Sequence, residues 1–237
     1  MKKLGIVGGM GSAAAAYVFQ RLVELTPANT DQEHIEVFLH NNAKVPDRTR
    51  YLIYNEEDPL PELKRSIDAL NSAEVDYIII ACLTAHYFLE ALQRESRAPI
   101  IDGVAQTVEF ISKNYHSVGQ IGILATNGMI ATGLFQKSLE NKGFKALVLN
   151  NHEQILYCME PIYADWGIKA GYTDGLPKER LLRGVDALIK SGAQAIITGC
   201  SELPLVLSEE DLSVPLIDSI DAMLFSVIEL CYTGRPA

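Results

Sequence analysis

An internal repeat is the feature that most constrains what this sequence can fold into. GIVGGMG begins at Gly5 and GILATNG begins 117 positions later at Gly122, and Cys82 and Cys200 are 118 positions apart. The segments APIIDG and VPLIDS align with an offset of 116 positions. Shared glycine turns and β-rich runs would explain similar strands, but not the matched cysteine and Pro-x-x-Asp positions. We therefore predict that the chain consists of two similar halves.

Each half alternates short β-rich runs with helical patterns. KLGIVGG, HIEVFLH and VDYIIIA predict strands in the first half, whereas AAAAYVFQRLVEL and ELKRSIDAL predict helices. Such alternation is typical of a parallel sheet flanked by helices, and the continuous apolar run YIII is typical of a strand buried on both faces. The predicted fold is α/β, with two pseudo-symmetric domains that each contain a parallel sheet flanked by helices. The expected first domain is residues 1–98 with 210–237, and the second is 99–209.

Composition and charge exclude several classes of function. The 237 residues are 48% hydrophobic, which suffices for a sizeable core. The net charge is −10 and no Lys/Arg cluster occurs, so we expect neither nucleic acid nor an anionic membrane as a partner. No apolar run approaches the ~20 residues of a membrane span, and MKKLGIVGGMG lacks the long apolar segment of a secretory signal. We expect a cytoplasmic globular protein.

The four cysteines form neither a metal-binding pattern nor a disulfide framework. They are scattered through the chain, with no C-x-x-C pair and no clustered histidines. Structural zinc is therefore not expected, and disulfides are rare in cytosolic proteins of this size. For Cys158 and Cys231, which lie in helical apolar patterns, burial as small apolar residues is the simpler interpretation.

The two repeated cysteines instead mark the ends of matched strands. Cys82 follows YIII and Cys200 follows AIIT, and each is followed by a short polar cluster. Ligands of open α/β sheets bind outside the carboxyl ends of the strands. We therefore predict that Cys82 and Cys200 lie on opposite walls of one interdomain cleft, which would be the active site.

Two facing thiols suit the inversion of a carbon centre. A base must remove the α-proton of an amino acid from one face, and an acid must return a proton to the other face. The pKa of a thiol, ordinarily about 8.5, is lowered by a helix N-terminus or a nearby cation. Because Cys82 and Cys200 both precede apparent helix starts, we expect one thiolate base and one thiol acid.

Several motifs together resemble the aspartate/glutamate racemase family of cofactor-independent, two-cysteine enzymes. They are GIVGGMGS, PDRTR, ACLTAH, GIKAG and TGCSELPL, and the resemblance runs from about Leu4 to Asp218. It implies an amino-acid racemase, which is an isomerase, acting on aspartate or glutamate without a cofactor. It also implies a substrate in the interdomain cleft and a homodimer.

The resemblance assigns roles to individual residues. Cys82 and Cys200 match the two catalytic bases, and Arg48 matches an arginine that engages the side-chain carboxylate of the substrate. An arginine suits that role because its planar fork binds a carboxylate through two hydrogen bonds. Lys169 matches a lysine near the substrate. The alternatives are a solvated loop arginine for Arg48 and a surface lysine for Lys169.

Smaller side chains are also matched. Thr84, Thr126 and Ser201 match hydroxyl residues that hydrogen-bond the α-carboxylate or α-amino group, a role that is compatible with helix capping. Met10, in the turn GGMG, matches a residue that lines the cleft, although packing alone would explain it. Glu202 follows the second cysteine as in the family, where it would orient that side of the site.

Two positions depart from the family pattern. Leu83 stands where the family usually carries an asparagine, and Met129 stands where a threonine is usual. Loss of one hydrogen bond to a charged group would weaken binding by about 1.5–3 kcal/mol. Leu83 either marks the loss of a hydrogen bond within a site for acidic amino acids or is an adaptation to a larger, less polar substrate. The sequence leaves open which amino acid is the substrate.

Other functions remain open on the sequence alone. GGMGSA fits the shape of a dinucleotide fingerprint, but the following strand ends in His40 and Asn41 and not in an acidic residue. Hydantoin racemases, decarboxylases and maleate isomerases share the scaffold, and the pair of cysteines favours racemisation over decarboxylation. A binding protein that has lost catalysis is a further alternative. No lysine motif for pyridoxal phosphate is recognisable.

Overall fold

The structure, a computed structural model that describes residues 1–233, contains two separate parallel β-sheets. In the first sheet the strand order is β2-β1-β3, and a single bridge from Ile78 to Ile100 adds a fourth position beside β3. All five residues of the central strand are buried, as its apolar sequence predicts. The three strands are β1 (Leu4–Gly8), β2 (Val37–Asn41) and β3 (Tyr77–Ile80).

The second sheet repeats this arrangement. Its order is β5-β4-β6-β7, and every pairing is parallel. In the second sheet the outer strand β7 pairs with β6, and in the first sheet Ile100 pairs with β3 at the equivalent position. The two sheets therefore share one topology. The α/β fold with two parallel sheets is confirmed. The four strands are β4 (Gln120–Leu124), β5 (Lys145–Leu147), β6 (Ala195–Thr198) and β7 (Leu216–Asp218).

The chain divides into two compact units, each built around one sheet. Unit 1 contains Met1–Gln106 and the described residues from Ile220 onward, and unit 2 contains Thr107–Ser219. Both divisions fall later in the chain than the expected 98/99 and 209/210. Strand pairing explains the shift. The Ile78 amide donates to Pro99 O at 3.0 Å, which keeps the segment after Pro99 with the first sheet, while β7 pairs within the second.

Since parallel pairing requires long crossovers, most of the strands are connected through helices. In unit 1 they are α1 (Ser12–Leu25), α2 (Arg48–Tyr54), α3 (Leu60–Ser72) and α4 (Leu89–Gln93). The chain then passes into unit 2 within α5 (Gly103–Asn114) and returns at the start of α11 (Ser219–Thr233). Unit 2 also contains α6 (Asn127–Thr132), α7 (Leu134–Asn141), α8 (Asn151–Gln154), α9 (Glu160–Tyr163) and α10 (Leu176–Lys190). Among the described residues, no helix combines the length and apolar character that crossing a membrane requires.

The helices α3 and α10 show how the repeat extends to side-chain packing. Each buries three apolar residues with the spacing i, i+4, i+7, which places them on one helical face. The residues of α10 lie 118 positions after those of α3, the offset that also separates the two repeated cysteines. The two sets are Leu63, Ile67 and Leu70 in α3, and Leu181, Val185 and Leu188 in α10.

We predict that Leu63→Ala and Leu181→Ala each lower the free energy of unfolding by about 2–5 kcal/mol, since each removes a fully buried side chain and leaves a cavity. Urea denaturation measures the change. Asp68→Ala and Asp186→Ala, at exposed positions of the same two helices, are matched controls that should change it by no more than about 0.5 kcal/mol. Equal decreases in the free energy of unfolding for the leucine and the aspartate variants would contradict this account of the core.

Candidate active site

The loop that follows β3 holds Cys82 in a buried position. Cys82 lies two residues beyond the end of the strand, its side chain is free of any disulfide, and the residue is 7% exposed. The expected α-helix start is wrong here, because Leu83–Phe88 forms a 3₁₀ segment before the short α4. A short 3₁₀ segment aligns few peptide dipoles. A helix macrodipole therefore contributes little to stabilising negative charge on the sulfur of Cys82.

A buried histidine holds the backbone of this loop. The Nε2 atom of His86 accepts the Gly103 amide at 3.0 Å, so the ring proton is on Nδ1, which faces Cys82 O at 3.2 Å. Burial lowers the pKa of His86, against the opposing influence of Asp102. The neutral ring thus joins the Cys82 loop to the start of α5. Sequence reasoning missed this residue, although its position four residues after Cys82 was a signal.

The residues beside Cys82 are apolar or buried. Leu83 is 1% exposed, and its Cδ2 atom lies only 3.3 Å from where a Cβ would stand on Gly103. Its side chain therefore packs against the first residue of α5. Thr84 is also buried. Asp102 caps α5 by accepting the Val104 amide at 3.0 Å.

Arg48 is buried at the first position of α2 and ties two loops together. One terminal nitrogen donates to Pro46 O and the other donates to Met10 O, each at 2.8 Å. The interpretation as a solvated loop arginine is therefore wrong. Met10 is buried in the same apolar cluster as Val45 and Cys82. The structure thus brings Met10, Arg48 and Cys82 into one region of unit 1.

Close packing explains the glycine turn that precedes α1. Gly9 has a φ of 92°, and a Cβ there would lie 2.2 Å from the backbone of Asn42. A Cβ on Gly8 would lie 2.7 Å from Ala15 Cβ. Both glycines are needed for backbone and helix packing, so this turn requires no bound dinucleotide to explain it.

In unit 2, Cys200 occupies the position equivalent to Cys82. It lies two residues beyond β6 and is 7% exposed. Gly199, just before it, packs so closely that a Cβ would lie 2.8 Å from Ala125 Cβ. The following segment, Leu203–Leu205, is a single 3₁₀ turn, so the expected helix start is wrong here as well.

The thiol of Cys200 contacts a carboxylate. Its Sγ atom donates to Glu202 Oε2 at 3.0 Å, and Lys169 Nζ donates to Glu202 Oε1 at 2.5 Å. The side chain of Glu202 is 5% exposed and that of Lys169 is 25% exposed. Lys169 is thus an exposed lysine, as the surface alternative expects, and its ammonium group pairs with the buried Glu202. The structure brings Cys200, Glu202 and Lys169 together.

This environment raises the pKa of Cys200 well above its ordinary value. Burial is the largest cause, and the Glu202 carboxylate adds to it while Lys169 opposes it. The expected lowering of the thiol pKa is thus wrong for Cys200. The ordinary pKa of a thiol, about 8.5, already lies above neutral pH, so raising it further keeps Cys200 protonated as a thiol.

The remaining matched residues of unit 2 lie in the surrounding loops. Thr126 caps α6, and its hydroxyl accepts the Met129 amide at 3.3 Å. Ser201, next to Cys200, is 1% exposed, and the side chain of Met129 is fully buried. The structure therefore assigns Thr126 a capping role, which is compatible with ligand binding.

The two other cysteines are packed in apolar surroundings. Cys158 donates to Ala125 O at 3.0 Å, and burial raises its pKa to about 12. Burial likewise raises the pKa of Cys231 to about 11. Such thiols are poor nucleophiles and bases at neutral pH. Within residues 1–233, no group of three or more His, Cys, Asp or Glu side chains is arranged to hold a metal ion.

Comparison with known proteins adds a family context to this geometry. A family model described as Asp/Glu/Hydantoin racemase matches residues 7–225. The chain is 22% identical to the broad specificity amino-acid racemase RacX of Bacillus subtilis, with 95% of this chain and 96% of that protein covered. It is 25% identical to a glutamate racemase of Persephonella marina, with 78% and 67% covered.

Solved structures show the same fold. Aspartate racemase of Picrophilus torridus superposes with a TM-score of 0.84 at 23% identity, covering 100% of this chain and 96% of that one. An aspartate racemase homologue of Pyrococcus horikoshii superposes with a TM-score of 0.73 at 25% identity, covering 98% and 100%. The two-sheet architecture therefore recurs over whole chains.

We predict that His86 makes stability depend on pH. Its folded pKa is lowered, so below about pH 6.5 the unfolded chain binds a proton that the folded protein does not. Stability present above about pH 6.5 is therefore lost as the pH falls, by up to about 1.4 kcal/mol per pH unit. Urea denaturation at several pH values measures this slope.

The matched variants are His86→Asn and His116→Asn, the latter at an exposed position. Removing His86 should flatten the slope, because the buried group that resists protonation is gone. Removing His116 should leave the slope as in the wild type. An unchanged slope in His86→Asn would contradict the assignment.

Proposed function

The chain belongs to the Asp/Glu/Hydantoin racemase family and is an amino-acid racemase, and we propose that Cys82 and Cys200 transfer the α-proton of an acidic amino acid. One observation carries this proposal. Each cysteine lies two residues beyond the matching strand of a sheet, β3 or β6, and the two sheets share one topology. Equivalent strand ends are where an open α/β sheet presents its ligand-binding residues.

In the proposed reaction the two cysteines act on opposite faces of one substrate. The thiolate of Cys82 removes the α-proton, the electron pair of the C–H bond remains on the α-carbon, and the Cys200 thiol gives that carbon its own proton. The reverse direction exchanges the two roles. The Cys200 thiol is suited to the acid role because burial and Glu202 raise its pKa.

The choice of an acidic substrate rests on Arg48. Its guanidinium is buried beside Met10, in the region that also contains Cys82. A buried guanidinium is a strong partner for a side-chain carboxylate. Thr84, Thr126, Lys169 and Ser201 are the further residues that we propose to bind the substrate. A homodimer that works in the cytoplasm without a cofactor completes the proposal.

A broader substrate range is the second candidate. Leu83 and Met129 are buried apolar side chains at positions where the family usually carries polar ones. The relative RacX, which aligns over nearly its whole length, is named a broad specificity amino-acid racemase. Loss of two polar partners would weaken selection for charged groups on the substrate.

The two cysteines should be indispensable, whereas the two packed cysteines should not. We expect Cys82→Ser and Cys200→Ser each to reduce racemisation by at least about 100-fold, since each removes a general acid or base. Chiral analysis of aspartate and glutamate measures the rate. Cys158→Ser and Cys231→Ser are the controls, and they should keep near-wild-type activity. Near-normal racemisation by either member of the first pair would refute the two-cysteine mechanism.

Comparing each acid with its own amide tests the substrate class. Aspartate and asparagine differ little in shape, as do glutamate and glutamine, but only the acids can accept two charge-assisted hydrogen bonds from Arg48. The amide oxygen keeps one of these bonds, and loss of the other at about 1.5–3 kcal/mol predicts that kcat/KM is at least about tenfold higher for the better acid than for its amide. Comparable values for acid and amide would favour the broad-specificity candidate.

A further inference from the structure

One carboxylate in unit 2 accepts hydrogen bonds from both a thiol and an ammonium group. Glu202 accepts a hydrogen bond from Cys200 Sγ on one oxygen, at 3.0 Å, and from Lys169 Nζ on the other, at 2.5 Å. The carboxylate is nearly fully buried, so water screens neither interaction strongly. Proton transfer at the thiol is therefore coupled electrostatically to both charged groups.

The two charged groups act on the thiol in opposite senses. Glu202 approaches from the segment of Cys200 itself, and Lys169 approaches from the 3₁₀ segment Ile168–Ala170. A thiolate at the position of Sγ would face a carboxylate oxygen at hydrogen-bond distance, which repels it. Lys169 attracts the thiolate and reduces that repulsion. The aromatic ring of Tyr163 also lies near the ammonium group, with its centroid 5.5 Å from Lys169 Nζ.

We propose that Glu202 and Lys169 are positioning residues that set the protonation state of Cys200. Glu202 holds the proton on the thiol of the resting protein. Lys169 limits the repulsion after that proton has moved to the α-carbon. This inference rests on the proposed function of Cys200, and it assigns Lys169 a role that does not require contact with the substrate.

The proton and electron balance of the step is simple. The S–H bond of Cys200 breaks and leaves its electron pair on sulfur, while the carbanion pair forms the new C–H bond. The resulting thiolate is repelled by the Glu202 carboxylate that it contacts and attracted by the ammonium group of Lys169, which binds the other oxygen of that carboxylate. Before the next turnover in the same direction, water returns a proton to the Cys200 thiolate and removes one from the Cys82 thiol, so solvent is the only other reactant.

Alkylation of Cys200 tests the proposal without requiring turnover. Iodoacetamide reacts with thiolates, and peptide mass spectrometry separates Cys200 from the other three cysteines. The measured quantity is the alkylation rate of Cys200 across the neutral and alkaline pH range, for the wild type, Glu202→Gln and Lys169→Met. Glu210→Gln and Lys190→Met are matched controls that change exposed side chains of the same unit.

We expect the two variants to shift the alkylation profile in opposite directions. Glu202→Gln removes the repelling charge and should raise the alkylation rate at neutral pH at least about tenfold, which corresponds to one pKa unit. Lys169→Met removes the attracting charge and should move the profile to higher pH. The two controls should leave it unchanged. An unshifted Glu202→Gln profile, or shifts of both variants in the same direction, would overturn the proposal.

A second measurement separates this role from substrate binding. If Lys169 acts through Cys200, Lys169→Met displaces the pH profile of kcat/KM, whereas a purely substrate-binding lysine would raise KM and leave the profile in place. Because the Lys169 side chain is partly exposed, this variant keeps the proposal testable even if Glu202→Gln does not fold. If the alkylation profile shifts in the variants as expected but the wild-type protein does not racemise amino acids, only the proposed function is refuted. If the wild-type protein racemises amino acids but the alkylation profile does not shift in the variants, only the role of Glu202 and Lys169 is refuted.

Discussion

Parallel pairing about the central strands β1 and β4 is the constraint on which the rest of the structure depends. The backbone groups of these buried strands are satisfied by neighbours on both sides, and because these neighbours are parallel, each is reached through a long crossover that contains a helix. All strands of a sheet consequently end at one edge. Cys82 and Cys200 stand just beyond that edge because each follows the strand beside the central one.

Although their positions match, the two thiols have different surroundings. Cys82 is held through its backbone by the neutral His86 ring, whereas Cys200 is held through its sulfur by Glu202, which also binds Lys169. The duplication therefore preserves the scaffold and not the electrostatics. In a reaction in which one group takes a proton and the other gives one, the giving group must hold its proton beforehand, as burial and Glu202 favour for Cys200.

The repeat, the alternation of strands and helices and the placement of Cys82 and Cys200 just beyond matched strands could all be predicted from sequence, since each shows in the order and spacing of residues. The raised pKa of Cys200 could not, because it depends first on burial and then on the balance between Glu202 and Lys169, which is 31 positions away in the chain. The 3₁₀ segments after both cysteines were also missed, as was the pairing of the segment after Pro99. These features are decided by packing and not by propensity.

Deuterium incorporation tests the two-cysteine mechanism most directly. The wild-type protein is incubated in deuterated water with a single enantiomer of aspartate or glutamate, and both enantiomers are analysed at early times. The account predicts deuterium at the α-carbon of the newly formed enantiomer and little in the remaining starting enantiomer, because one group removes the proton and another supplies the deuteron. Product that retains the original protium, or starting material that exchanges faster than it inverts, would contradict it.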